Sequence, residues 1–154
     1  MVNRLGMNIS KVAMGYSGEG ETKIVNLPCS ASLAFTNQGG KWVDYDGSKD
    51  LQLATSASTT LVGWAKVGEF TASSTAGATR VDVDQSLDSS YWMKADAAVT
   101  ESLVQSIAGL TTDAAGNQIV DVTSPAQNTL TIMEVDVQNQ RVKVQNVALD
   151  TTSL

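Results

Sequence analysis

Met133-Glu134-Val135-Asp136-Val137-Gln138-Asn139-Gln140-Arg141-Val142-Lys143-Val144 reads as two alternating runs around a polar pair. With Gln138-Asn139 as a two-residue turn, Val137 faces Gln140, Asp136 faces Arg141 and Val135 faces Val142. Glu134 then meets Lys143, and Met133 meets Val144. Side chains alternate between the two faces of a strand, so this register collects opposite charges on one face and apolar groups on the other. A slip of one residue would set valine against arginine and lysine, which specifies the pairing. Upstream, Leu130 and Ile132 have the opposite parity to Met133, Val135 and Val137. Either a bulge near Met133 or a passage between two buried environments accounts for that change.

Working outward from this hairpin, further short strands are expected at 23–27, 31–37, 41–45, 51–55, 61–70, 78–84, 90–94, 118–123, 129–137 and 140–147, separated by Gly, Ser, Asn and Asp. Many short strands at close spacing read as a sandwich or a barrel. One segment departs from the pattern. From Asp96 to Ala108, the residues Val99, Leu103, Val104 and Ile107 fall at helical spacing, with Thr100 placed to cap and Gly109 to stop the turn. The expected fold is therefore all-β, a β-sandwich or β-barrel with one short helix and an extended N-terminal arm. The arm covers residues 1–22 and a single β-rich domain covers 23–154; no repeat of fixed period is visible.

The composition supports this reading and narrows the function. A chain of 154 residues buries a sizeable core without staples. Only 17% of the residues are charged, whereas Ser and Thr number 16 each, which suits strands better than long surface helices. There is no histidine, so imidazole bases and histidine metal ligands are excluded, and Cys29 stands alone, which excludes an intrachain disulfide or a thiolate zinc site. A net charge of -6 argues against nucleic acid as a partner. No apolar run approaches the roughly 18 residues of a membrane helix, and the opening residues lack a signal-peptide core, so no membrane partner is expected.

The opening segment differs from the rest. Residues 1–18 carry Arg4 and Lys11 and no acid, a side-chain charge of +2, while residues 19–154 carry -8. Val2, Leu5, Met7, Ile9, Val12 and Met14 make it too apolar for an idle tail, and Gly15, Gly18 and Gly20 provide a hinge. Arg4, Leu5, Met7, Ile9, Lys11, Val12 and Met14 are the expected partner-binding residues.

Motifs built from the residue types of chemical sites read as structure. Asp44-Tyr45-Asp46-Gly47-Ser48-Lys49-Asp50 begins like a calcium loop, but Thr55 occupies the twelfth position where a bidentate Glu is required. Asp46-Gly47 is read instead as a hairpin turn of type I′. Asp82 and Asp84 share the outer face of a strand and read as solvated carboxylates. The glycine-rich stretches at Gly15–Gly20 and Gly39-Gly40 lack the Lys-Ser/Thr of a phosphate loop. Trp42, Trp64, Trp92, Tyr45 and Tyr91 could form a sugar platform, but packing is the stronger reading. Cys29 reads as a small buried hydrophobe. No catalytic, cofactor or metal residues are assigned, and no enzymatic activity is expected.

Two stretches resemble a known group. One runs from Ser74-Thr75-Ala76-Gly77-Ala78-Thr79-Arg80-Val81-Asp82-Val83 to Tyr91-Trp92-Met93-Lys94-Ala95-Asp96-Ala97-Ala98-Val99-Thr100. The other comprises Ile119-Val120-Asp121-Val122-Thr123, Leu130-Thr131-Ile132 and Val135-Asp136-Val137-Gln138-Asn139. Their order is similar to that of the head decoration, or cement, proteins of tailed bacteriophages, over residues 70–147. The segment Ser106 to Gln118 is longer than the tight turn usual in that family. The resemblance implies a non-enzymatic structural protein on the outer capsid surface of a virion, a homo-oligomer (trimer or dimer) that bridges the major capsid protein and stabilises the shell. The alternative is another virion or surface β-module, such as a tail component or a carbohydrate-binding domain.

Overall fold

A computed structural model describes residues 23–37 and 39–148. The expected arm, with Arg4, Leu5, Met7, Ile9, Lys11, Val12 and Met14, lies outside the described residues. The rest is all-β. In chain order the strands are β1 (Ile24–Pro28), β2 (Ala34–Phe35), β3 (Trp42–Tyr45), β4 (Leu51–Leu53), β5 (Gly63–Ala65), β6 (Phe70–Thr71), β7 (Arg80–Asp84), β8 (Ser90–Lys94), β9 (Ile107–Thr112), β10 (Gln118–Asp121), β11 (Leu130–Asp136) and β12 (Arg141–Asn146).

They form two five-stranded antiparallel sheets and one two-stranded ribbon. The first sheet runs β1-β7-β5-β3-β4, the second β8-β12-β11-β9-β10, and the ribbon joins β2 to β6. The two large sheets have one topology. In each, the first strand in sequence pairs with the last, the second and third form a hairpin, and the fourth pairs with the second and the fifth. Each also curls so that the residue after its first strand bridges its third strand in parallel: Cys29 to Leu51, and Ala95 to Val120. The same connectivity thus occurs twice although no sequence repeat marks it. Topology depends on where apolar alternation and turns fall, and those recur here without residue identity.

The hairpins β3–β4 and β9–β10 also share a turn. Asp46 and Asp113 each open a five-residue connection whose ends bond, Asp46 N–H to Asp50 O at 2.9 Å and Asp113 N–H to Asn117 O at 2.9 Å. In both, the Asp Oδ1 accepts the N–H groups two and four residues on: Ser48 and Asp50 in one, Ala115 and Asn117 in the other. The left-handed position is Lys49 (φ 70°) in the first and Gly116 (φ 84°) in the second. The expected turn at Asp46-Gly47 is therefore present, but as this longer capped loop rather than a two-residue type I′ turn. An aspartate that mimics a backbone acceptor stabilises such a loop locally.

The register of the deciding hairpin holds for Asp136–Arg141, Val135–Val142 and Glu134–Lys143, after which it shifts between Ile132 and Glu134 so that Ile132, not Met133, pairs with Val144. Met133 is the bulged residue. The extra residue turns Ile132 and Val135 toward the same core and leaves Met133 and Glu134 both outside, which resolves the parity change. Val137 to Gln140 make a four-residue turn, with Gln140 left-handed at φ 54°, in place of the two-residue connection expected.

The short helix expected between Asp96 and Ala108 is corrected to a single 3-10 turn, Glu101–Leu103, followed by a strand. Thr100 occupies the N-cap position without a side-chain cap bond. Helical continuation is stopped because Gln105 is left-handed (φ 67°), and its N–H donates to Ile132 O at 2.7 Å while Ser106 O accepts from Ile132 N–H. Sheet pairing therefore overrides the helical spacing of Val99, Leu103 and Val104. Gly109, instead of ending a helix, lies inside β9, where a Cβ would stand 2.4 Å from Gln127 O.

Two cores follow from the alternation. Phe35, Val43, Leu51, Val62, Ala65, Val81 and Val83 fill the interior of the first sheet. The second core joins Met93, Ala108, Leu110, Val120, Leu130, Ile132, Val142 and Val144 with Trp42, Ala54 and Leu61 from the first half. Trp42 and Val43 are consecutive and both buried, so β3 serves one core with each face.

Candidate functional site

The junction between the sheets is built on Trp42. Its ring packs edge-on against Trp64, with centroids 5.3 Å apart, and against Tyr91 at 5.7 Å, while Trp64 and Tyr91 stack at 4.2 Å. Such geometries match the charge distribution of aromatic rings and each contributes about 0.5–1.5 kcal/mol beyond area burial. Gln118, buried at the start of β10, holds the same strand through its amide. Its Oε1 accepts Trp42 N–H at 2.9 Å, and its Nε2 donates to Trp42 O at 3.0 Å and Ala54 O at 2.8 Å.

Asp84 is corrected from a solvated carboxylate to a buried one. It pairs in register with Trp64 on β5, and the Tyr91 hydroxyl closes over it and donates to Oδ2. Burial alone would raise its pKa, but donors from Tyr91, the Ser86 N–H and Ser89 outweigh that and hold it below the usual value. Burial, and then the carboxylate beside it, push the Tyr91 phenol up. Asp82 is exposed as expected and accepts from Asn26 Nδ2 at 2.8 Å.

Trp42 and Trp64 are thereby committed to packing, and no aromatic platform spans the tryptophans. Trp92 alone among them sits on an outer face, 38% exposed, at the centre of β8. The register places Lys143 directly opposite Trp92 and Arg141 directly opposite Lys94. The Arg141 guanidinium lies 5.1 Å and the Lys143 ammonium 5.7 Å from the Trp92 ring centroid, an arrangement in which ring and cations attract. On the next strand, Asp136 accepts from Arg141 at 2.8 Å and Glu134 from Lys143 at 3.3 Å. The Arg141 guanidinium, aided by Asn139, lowers the Asp136 pKa to about 2. Beside this ladder lies a cleft of about 170 Å³ lined by Trp92, Lys94, Arg141 and Gln118 with Gly39 and Gly40.

The same sheet surface continues into apolar ground. Ile107 pairs with Thr131 and is 56% exposed; the bulged Met133 is 38% exposed and Val104, just before β9, is 39% exposed. Bonds between Gln105 and Ile132 and between Ile132 and Ser106 bring Val104–Ile107 alongside Met133. This outer face thus sets one aromatic ring and three cations beside apolar side chains, with Asp136 and Glu134 on the next strand.

The acidic loop is occupied by its own backbone. Asp46 Oδ1 is used in capping and Asp44 Oδ2 accepts from Ser58 Oγ. Among the described residues no group of three or more His, Cys, Asp or Glu side chains is placed to hold a metal ion. Cys29 is buried, and that burial raises its thiol pKa. The alternation in the hairpin already put Arg141 and Lys143 on one face, but the addition of Trp92 and Lys94 needs the β8–β12 pairing, which nothing local signals. No protein-family model matches this chain, and no curated protein matches it.

Proposed function

We propose that this chain is a non-enzymatic structural protein that binds the outer surface of a viral capsid and stabilises it by bridging major capsid protein subunits. The observation that supports this reading is the outer face of the second sheet. There Trp92, Lys94, Arg141 and Lys143 share one face with exposed Ile107 and Met133. A contact surface of this composition, on a body whose sequence also carries an apolar basic arm, suits attachment to a larger protein assembly. A ligand that binds only the assembled shell stabilises it by mass action, which is how such a clip would resist internal pressure. The homo-oligomer and the virion location belong to the same proposal.

Co-sedimentation tests it. Purified protein mixed with undecorated heads of the source particle should co-migrate with them, and electron micrographs should show added density outside. Decorated heads should retain their DNA to a higher temperature. Failure to bind any assembled shell sinks the reading. The alternative, a tail component or carbohydrate-binding module, draws on the exposed Trp92, and glycan binding lost in Trp92→Ala would favour it.

A further inference from the structure

The face formed by Val104, Ile107 and Met133 has no cover among the described residues, although its side chains are 39%, 56% and 38% exposed. Next to Met133 is the carboxylate of Glu134, which stays exposed beyond its ion pair with Lys143. The patch is thus apolar, on a body in which residues 19–154 carry a side-chain charge of -8.

The chain contains a segment with the complementary character. Leu5, Met7 and Ile9 alternate with Gly6 and Asn8, so an extended backbone would present three apolar side chains on one face at intervals of about 6.6 Å. Arg4 and Lys11 bracket them, and residues 1–18 contain no acid. We infer that residues 1–18 of a second copy of this chain dock on the Val104–Ile107–Met133 face, with Leu5, Met7 and Ile9 against the apolar side chains and the cations of Arg4 and Lys11 drawn to an acidic body. Removal of both apolar surfaces from water supplies the attraction, and the opposite net charges of arm and body favour the encounter. This inference rests on the self-association part of the function proposed above.

Cysteine trapping on the full chain tests it directly. Leu5→Cys, Met7→Cys and Ile9→Cys are each combined with Met133→Cys and oxidised mildly; native Cys29 is buried and does not compete. At least one pair should give a covalent dimer well above both single-cysteine controls. A product closed within one chain, or none above the controls, overturns the inference. A second measurement does not depend on the exact contact. Ile107→Lys with Met133→Lys, and deletion of residues 1–18, should each weaken self-association in sedimentation by about tenfold or more. Combined, they should do little more than either alone, since each removes one side of a single contact. Additive effects, or a wild-type monomer at about 100 µM, overturn it as well. Shell binding is scored separately, so a wild-type chain that binds shells but shows no arm-dependent homotypic contact rejects this inference and leaves the capsid reading standing.

Discussion

The Tyr91 hydroxyl donates to the carboxylate of Asp84, joining the last residue of β7 in one sheet to the second residue of β8 in the other. Five residues separate β7 from β8, and this bond, with the Trp64–Tyr91 stack, fixes the angle at which the chain passes between sheets. Tyr91→Phe keeps the stack but leaves a buried carboxylate short of a donor. It should lower stability by about 1.5–3 kcal/mol, the range for hydrogen bonds to charged groups. Urea denaturation measures this; a change within error would show that the Ser86 and Ser89 donors suffice.

Stability should be flat from pH 5 to 8, because no histidine titrates there. Asp84, Asp113, Asp121 and Asp136 all have pKa values below 3.8 in the folded chain. Folding therefore favours their ionised forms, and the stabilisation is complete above about pH 4 and lost as the pH falls toward 2. On the alkaline side the signs reverse. Cys29 and Tyr91 are raised by burial, so their contribution is complete below about pH 9 and is lost as the unfolded chain ionises above it. Thermal melts across pH 2–11 should show this plateau with two falling limbs. A step near pH 6.5 would contradict it.

Gln118→Leu should be among the most damaging single substitutions. The amide bonds Trp42 N–H, Trp42 O and Ala54 O at a buried junction; with leucine, Trp42 O keeps its bond from Ala54 N–H, while Trp42 N–H and Ala54 O lose the amide. Each unsatisfied buried group costs about 1–3 kcal/mol, so the loss should exceed about 2 kcal/mol. A loss under about 1 kcal/mol would mean that the strand finds other partners.

The paired turns offer an internal control. Gly116 and Lys49 occupy the same left-handed position in equivalent loops. Gly116→Ala should cost about 1 kcal/mol, whereas Lys49→Gly should be neutral or stabilise by a few tenths, because relief of strain exceeds the added freedom of the unfolded chain. A stabilising Gly116→Ala or a destabilising Lys49→Gly would show that side-chain contacts, not backbone geometry, govern the turn.

Alternation by itself determined that this protein is all-β, where most strands lie, and that Asp136 and Glu134 stand beside Arg141 and Lys143. Those features are local: residues within a few positions of a turn have only one register that keeps valine out of water. The parity change before Met133 also carried the bulge as one of its two solutions. Tertiary structure decided between competing local preferences. Val99, Leu103, Val104 and Ile107 had helical spacing, and the segment 107–112 gave no decisive signal, until Ile132 and Ser106 shared a hydrogen bond. Asp84 looked solvated until Tyr91 covered it, and the first sheet's topology returned in the second without any repeated sequence. Trp92 gained Arg141 and Lys143 only because β12 pairs with β8, residues about fifty positions apart in the chain. Non-local pairing is chosen by the summed burial of whole faces, and that sum exists only once the sheets have formed.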